Sequence, residues 1–127
     1  MLEYESELLA FLLEGDDPVL VGLREQVRFL SVVSRDSSDG GVFTYFDVQP
    51  CAQRVTPASL RIDDVWFELV GDSEGGAAIL WVREGAMDSL EVYANSGRWP
   101  SIPQVAALHY FGPERDLDAL RSGWGCA

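Results

Sequence analysis

The sequence predicts an α+β fold with two N-terminal helices, an antiparallel meander sheet of five to six strands and a short C-terminal helix. Residues 60–100 support the sheet, because three segments with alternating apolar residues are separated by short glycine-rich or acidic turns. Residues 2–26 support the helices, because their apolar residues recur at helical spacing. A chain of 127 residues has the length of one domain, so we expect a single domain over 1–127.

The first helix is predicted over 2–14. Its apolar face consists of Leu8, Leu9 and Leu12, and its acidic face consists of Glu3, Glu7 and Glu14. Gly15 ends the helix, because glycine readily adopts the backbone conformation that closes a helix C-terminus. Asp17 caps a second short helix that opens with Pro18, whose missing backbone N–H costs nothing at that position.

A hairpin, a loop, the meander, a last strand and a final helix complete the predicted order. The second strand of the hairpin carries aromatic residues on both faces, and we expect the N-terminal helices to cover one of them. Gly123 should end the final helix. The predicted ranges are strand 28–35, turn 36–41, strand 42–48, loop 49–59, meander 60–100, strand 105–111 and helix 113–122.

The chain is strongly acidic and its basic residues are scattered. Nine Arg, no Lys and 21 acidic residues give a net charge of −12. Direct nucleic-acid binding is not expected, because phosphate contacts need clustered basic residues. Six acids precede Arg24, the first basic residue. This leading surface, Glu3, Glu7, Glu14, Asp16 and Asp17, is either a solvated face or a docking surface for a basic protein.

The cysteines and the N-terminus indicate a cytoplasmic protein. Cys51 and Cys126 do not form a C-x-x-C pair, so we expect reduced thiols. The first 14 residues contain four Glu and no basic residue, the reverse of a secretory signal. No apolar run approaches the ~18 residues that a membrane span requires.

Four segments carry a resemblance to known proteins. They are "GDDPVLVGLREQ" at 15–26, "VVSRD" at 32–36, "GVFTYFDV" at 41–48 and "GGAAILWVREGAMDSLEVY" at 75–93, followed by Trp99 and Pro100. Over roughly 15–100 the chain resembles an uncharacterised family of small acidic bacterial proteins. The resemblance implies a shared fold and no functional residue, because none of these segments is a catalytic motif.

Trp66, Trp81 and Tyr93 fall on one side of the predicted meander, opposite its aliphatic residues. We expect this stripe to form a core packed beneath a helix. The alternative is a ligand groove, in which Arg98 at the end of the meander would take part.

Carboxylates form the second candidate site. Antiparallel strands place Asp63 and Asp64, at the entry of the first meander strand, near Asp88 and Glu91, at the entry of the third. Two acids in different environments can hydrolyse a glycosidic bond or move a proton, and a cluster of four could bind a hard cation. We expect ordinary solvated turns instead, because acidic turns are common in an acidic protein.

Other chemistry has little support. Cys51, Cys126 and His109, the one histidine, match no metal-ligand spacing, and we expect a structural or surface histidine rather than a Cys–His pair. The pairs Gly40–Gly41 and Gly75–Gly76 lack phosphate-loop spacing and indicate turns. No metal, nucleotide or other cofactor is expected.

These observations favour a binding function over catalysis. The first hypothesis is a protein-binding module that docks on a basic partner, in the manner of an immunity protein neutralising a cationic toxin such as a nuclease. The alternative is a small-molecule-binding or hydrolytic domain that uses the aromatic sheet face with Asp63, Asp64 or Glu91. A self-associating protein is a third possibility, and the sequence leaves monomer and homodimer both open.

Overall fold

The computed structural model describes residues 1–124. The segments with helical and alternating apolar periodicity form three helices and six strands. The helices are α1 (Glu3–Leu12), α2 (Pro18–Gln26) and α3 (Leu117–Ser122), and Val27–Phe29 form a 3-10 turn after α2. The strands are β1 (Leu30–Ser37), β2 (Gly41–Val48), β3 (Leu60–Leu69), β4 (Asp72–Arg83), β5 (Ala86–Ala94) and β6 (Val105–Tyr110).

All six strands belong to one antiparallel sheet, in the order β1-β2-β5-β4-β3-β6. The predicted meander forms its centre as β5-β4-β3. The hairpin β1–β2 joins the meander at β5, and β6 joins it at β3. The predicted α+β fold, with two N-terminal helices and a short C-terminal helix, is confirmed.

Several predicted boundaries are wrong. The first helix ends at Leu12, with Leu13 as its C-cap, rather than at position 14 before Gly15, and β1 extends to Ser37.

Two further boundaries differ for local reasons. The first strand begins at Leu30 rather than at position 28, because the chain leaves α2 through the 3-10 turn. The last helix begins at Leu117 rather than at position 113. Its N-cap is Asp116, whose carboxylate accepts a hydrogen bond from the Ala119 N–H at 3.1 Å.

All three helices pack on one side of the sheet, which we call the covered face. Apolar side chains from α1 and α2 meet alternate residues of the strands there, and Leu120 of α3 joins the same core. The fully buried members include Leu8, Leu12, Leu20, Leu23, Ile62, Phe67, Leu80 and Leu90. Each such side chain contributes roughly 1.5–3 kcal/mol relative to exposure. The opposite side, which we call the open face, carries the alternate residues.

A buried glutamine holds α2 against the turn between β4 and β5. The Gln26 side-chain N–H donates to the carbonyls of Gln53 at 2.9 Å and Gly85 at 2.8 Å, while its oxygen accepts from the Met87 N–H at 3.1 Å. Gly85 has a φ of 76°, and a Cβ there would lie 2.8 Å from the Val55 carbonyl oxygen. The turn therefore requires glycine.

None of the helices in the described part of the chain combines the length and the apolar character that crossing a membrane requires.

Candidate functional site

The open face carries a set of large aromatic and aliphatic side chains that no helix of the described chain covers. Strand alternation points them away from the core, and none belongs to the core cluster. The set consists of Phe43, Tyr45, Trp66, Ile79, Trp81 and Tyr93. Tyr45 is 37% exposed and Tyr93 is 39% exposed, and the other four are half-buried.

The cross-strand register arranges the open face in three rows, each perpendicular to the strands. The first row is Tyr45, Ser89, Trp81 and Arg61; the second is Phe43, Glu91 and Ile79; the third is Tyr93, Ala77, Trp66 and His109. In every row a small or charged residue separates two large side chains. Directly opposed side chains in such rows are about 5 Å apart, so the large residues of each row lie on either side of the small or charged one.

Glu91 lies at the centre of these rows. Phe43 and Ile79 are its direct cross-strand neighbours, and Tyr93 lies two residues further along β5 on the same face. The Trp81 indole N–H donates to the Glu91 carboxylate at 3.1 Å, which fixes the side chain in place. A carboxylate held among apolar rings favours a cation, because the rings exclude water and their faces also attract positive charge.

Trp66 and His109 close the open face at the β6 edge. Their rings stack with centroids 4.3 Å apart, and the Trp66 N–H donates to the Tyr110 carbonyl at 3.2 Å. The His109 imidazole Nε2 lies 2.7 Å from a carboxylate oxygen of Glu68. His109 is therefore a surface histidine held by two neighbours.

The expectation that Trp66, Trp81 and Tyr93 form a core beneath a helix is wrong. All three lie on the open face, because the helices pack against the aliphatic residues that alternate with them. The indole N–H of each tryptophan donates to a partner within the sheet, so neither half-buried ring has an unsatisfied N–H.

The four carboxylates of the second candidate site do not converge. Each has a different partner: Asp63 pairs with Arg61 at 3.1 Å, Asp88 with Arg83 at 3.5 Å, and Glu91 accepts from Trp81. Asp64 forms a two-point ion pair with Arg115, at 2.8 and 3.0 Å.

Asp64 has a structural role through Arg115. The Arg115 guanidinium also donates to the carbonyls of Leu12 and Glu14, at 2.8 and 2.9 Å, and so caps the C-terminal end of α1. The pair is largely buried, with 10% of the Arg115 side chain and 18% of the Asp64 side chain exposed. It ties the C-terminal segment to the first helix.

The leading acidic surface contains exposed carboxylates and one carboxylate, that of Asp17, with hydrogen-bond and ion-pair partners. Glu3, Glu7 and Asp16 are exposed. Glu14 is exposed as well, and its carboxylate lies 3.4 Å from the Tyr110 hydroxyl. Asp17 caps α2 by accepting from the Val19 N–H at 2.9 Å and forms an ion pair with Arg121. Because α1 lies on the covered face, this surface and the open face are on opposite sides of the sheet.

Cys51 and His109 lie in different parts of the fold. Cys51 is exposed in the β2–β3 connection beside α2, where its thiol lies 3.7 Å from the Gln49 side chain. His109 is on the open face of β6. Cys126 falls outside the described residues. Within residues 1–124, no group of three or more His, Cys, Asp or Glu side chains is placed to hold a metal ion. Arg98 is exposed in the turn after β5.

Sequence reasoning missed a buried ion pair at the N-terminus. Glu5 is fully buried and accepts from Arg35 at 2.7 and 3.0 Å, from the Thr44 hydroxyl at 2.6 Å and from the Leu2 N–H at 2.8 Å. Burial by itself raises the pKa of Glu5, but these hydrogen bonds outweigh it and hold the pKa below the ordinary value of 4.5. Burial also raises the pKa of the neighbouring Tyr4 to about 12.

A sequence signal for this pair was available. Glu5 precedes Leu8, Leu9 and Leu12 by three, four and seven residues, which places it on the apolar face of α1. A similar signal marks the open face, because Trp66 shares its side of β3 with Glu68 and Tyr93 shares its side of β5 with Glu91. The covered side of the same strands is uniformly apolar.

Comparisons with known protein families, with curated protein sequences and with solved structures gave no match.

Proposed function

We propose that this protein is a cytoplasmic, non-enzymatic binding module that binds a basic protein through its open face. The observation that carries the proposal is Glu91, a carboxylate held by Trp81 at the centre of an aromatic sheet face that no described helix covers. A basic side chain of the partner, seated between the rings, would meet this carboxylate.

The composition of the open face supports a protein partner. Tryptophan and tyrosine are the residues most enriched among interface hot spots, because they bury large areas and lose little conformational freedom. The face presents two of each, Trp66 and Trp81 with Tyr45 and Tyr93. An uncovered apolar surface on a folded chain commonly marks an interaction site.

Charge supports a basic partner. The chain carries a net charge of −12, and Asp36, Asp47 and Glu68 add exposed carboxylates around the aromatic rows. Such a field raises the association rate with a cationic protein and lowers it with an acidic one. Neutralising a cationic enzyme, for example a nuclease toxin, is a function suited to this surface, because it would occlude a phosphate-binding cleft.

The leading acidic surface of Glu3, Glu7, Glu14 and Asp16 has a secondary role in this proposal. It contributes to the long-range field and does not contact the partner, because it lies on the helix side of the sheet. Asp17 is already engaged as a cap and in an ion pair.

A small-molecule or hydrolytic function has weaker support. An open cleft of about 850 Å³ adjoins Trp81 and is lined by Arg61, Arg83 and Asp88. Hydrolysis by two acids requires both carboxyl groups to face one reacting atom. Here Asp63, Asp64 and Glu91 are each oriented by a different neighbour.

The test is affinity capture from the native lysate with two matched variants. One is Tyr45→Ala with Trp81→Ala on the open face; the other is Glu3→Gln, Glu7→Gln and Asp16→Asn on the helix side. We expect the unaltered protein and the helix-side variant to retain the same basic protein at low salt, and high salt to weaken retention. The open-face variant should retain little of it.

Loss of capture in the helix-side variant alone would contradict the open face as the binding surface. Recovery of no basic protein at low salt would contradict the proposed function. Circular dichroism of both variants checks that they are folded.

A further inference from the structure

The two edges of the sheet differ in charge. β1 forms one edge, carries Arg35 and Asp36, and is interrupted by a bulge at Val33. β6 forms the other edge. The stretch 99–113, which contains β6, has no Asp, Glu, Lys or Arg. Charges and bulges are the usual protection of an edge strand against pairing with another chain, and β6 lacks the charges.

The β6 edge is flanked by two exposed apolar side chains. Ile102 is 79% exposed just before the strand, and Phe111 is 72% exposed just after it. Ala107–Tyr110 pairs with β3 without interruption, so this part of β6 has a regular strand conformation. Among the described residues, β3 is the one strand that pairs with β6. The side of β6 away from β3 therefore pairs with no other described strand.

We propose that β6 pairs in antiparallel register with β6 of a second copy of this chain. Two copies that each carry −12 repel each other, and the stretch 99–113 adds no charge of its own to this repulsion, while the neighbouring Glu68 carboxylate lies 2.7 Å from the His109 imidazole. Antiparallel pairing also brings the Ile102 end of one strand beside the Phe111 end of the other. Ile102 of one copy and Phe111 of the other then lie at the same end of the pair.

This arrangement determines how the two copies are oriented. Identical antiparallel strands are related by a two-fold axis perpendicular to the sheet, so both sets of helices lie on one side. The two open faces then form one continuous surface on the other side, with His109 and Trp66 of each copy close to the seam. The inference does not depend on the proposed function, because it concerns the sheet edge rather than the face.

Sedimentation equilibrium tests the proposal, with Phe111→Glu and Ile102→Glu as edge variants and Val33→Glu as the control. Val33 is 65% exposed at the other edge, so the control makes the same chemical change outside the seam. Samples from about 10 to about 500 μM cover the range in which a weak dimer would appear. We expect a dimer whose dissociation constant rises about tenfold or more in each edge variant, since each introduced carboxylate faces apolar residues of the other copy at the seam. Val33→Glu should leave the dissociation constant of the dimer unchanged.

Salt gives an independent readout. Raising sodium chloride from about 0.1 to about 0.5 M screens the repulsion between the copies and should strengthen the dimer. Binding of a basic partner should instead weaken, so the two interactions respond in opposite directions. A monomer at every concentration and salt would overturn the proposal, as would a dimer that Val33→Glu weakens or that both edge variants leave intact.

Discussion

On the covered face of the sheet, Phe67, Leu80 and Leu90 are fully buried beneath the helices, whereas Tyr45 and Tyr93 on the open face keep more than a third of their surface exposed. The same strands supply both sets by simple alternation. The covered residues are aliphatic or phenyl groups without polar atoms. The open residues are mostly rings with a polar atom, and the tryptophan N–H groups have partners within the sheet.

The two faces differ in burial because the helices cover only one of them. The side chains of the covered face are buried against the helices, and this burial contributes most of the favourable free energy of folding. The open face gains less from folding, and under the proposed function its large rings contact a partner. Substitutions on the two faces should therefore separate stability from binding.

The largest expected effect is that of Phe67→Ala on the covered face. Removing this buried ring should lower the free energy of unfolding by about 3–5 kcal/mol, as lost burial adds to the cost of a cavity. Trp66→Ala, its neighbour on the open face, should cost about 1 kcal/mol. Urea denaturation of both variants measures the difference, and equal costs would contradict the distinction between the faces.

The second largest loss of stability is expected from removing the ion pair between the buried Glu5 and Arg35. Glu5→Gln removes the charge that Arg35 faces, and Arg35 is 34% exposed. Because water screens part of the loss, we expect a cost of about 2 kcal/mol. Glu7→Gln is the matched control on the same helix and should change stability by less than about 0.5 kcal/mol. A similar cost for both substitutions would mean that the Glu5–Arg35 pair contributes no specific stability.

Acid should weaken the same contact. The pKa of Glu5 is lower in the folded chain than its ordinary value of 4.5, so its contribution is complete above that value. It is lost as pH falls through the folded pKa. The difference in unfolding free energy between the unaltered chain and Glu5→Gln should therefore be constant at neutral pH and shrink in acid. A difference that grows below pH 4.5 would contradict this sign.

The smallest expected effect on folding is that of Trp81→Phe. It removes the indole N–H that holds Glu91 and retains an aromatic ring, so stability should change by less than about 1 kcal/mol. The free energy of partner binding should change more than the free energy of unfolding, because Glu91 loses the hydrogen bond that fixes its position. Measuring the unfolding free energy and the affinity for the partner on the same preparation of the variant tests this prediction. An unchanged affinity would show that the Trp81–Glu91 contact is irrelevant to binding.

Sequence periodicity was sufficient for the elements of the fold. The helices and strands have periods of 3.6 and 2, and the predicted ranges differ from the observed ones at their ends, notably at 13–14, 28–29, 36–37 and 113–116. Strand order was not predictable in the same way. Periodicity shows which residues of a strand share a face, while the pairing of β2 with β5 depends on contacts between residues more than 40 positions apart, such as Thr44 and Leu90.

The candidate site was predictable in part. Alternation grouped Trp66, Trp81 and Tyr93 correctly, but hydrophobicity alone does not show which side of a sheet the helices cover. The interspersed carboxylates on the tryptophan side were the better signal, because an unpaired charge is costly to bury. Carboxylate spacing could not reveal that Asp64 is engaged by Arg115, because that partner comes from a segment 51 residues away.

The most direct test of the binding surface compares one carboxylate on each side of the sheet. Titration calorimetry with the purified basic partner would measure dissociation constants for the unaltered chain, Glu91→Gln and Glu7→Gln. Both variants make the same chemical change and remove one negative charge. The open-face account predicts that Glu91→Gln weakens binding at least about tenfold and that Glu7→Gln weakens it less than about twofold. The reverse order, or equal effects, would contradict it.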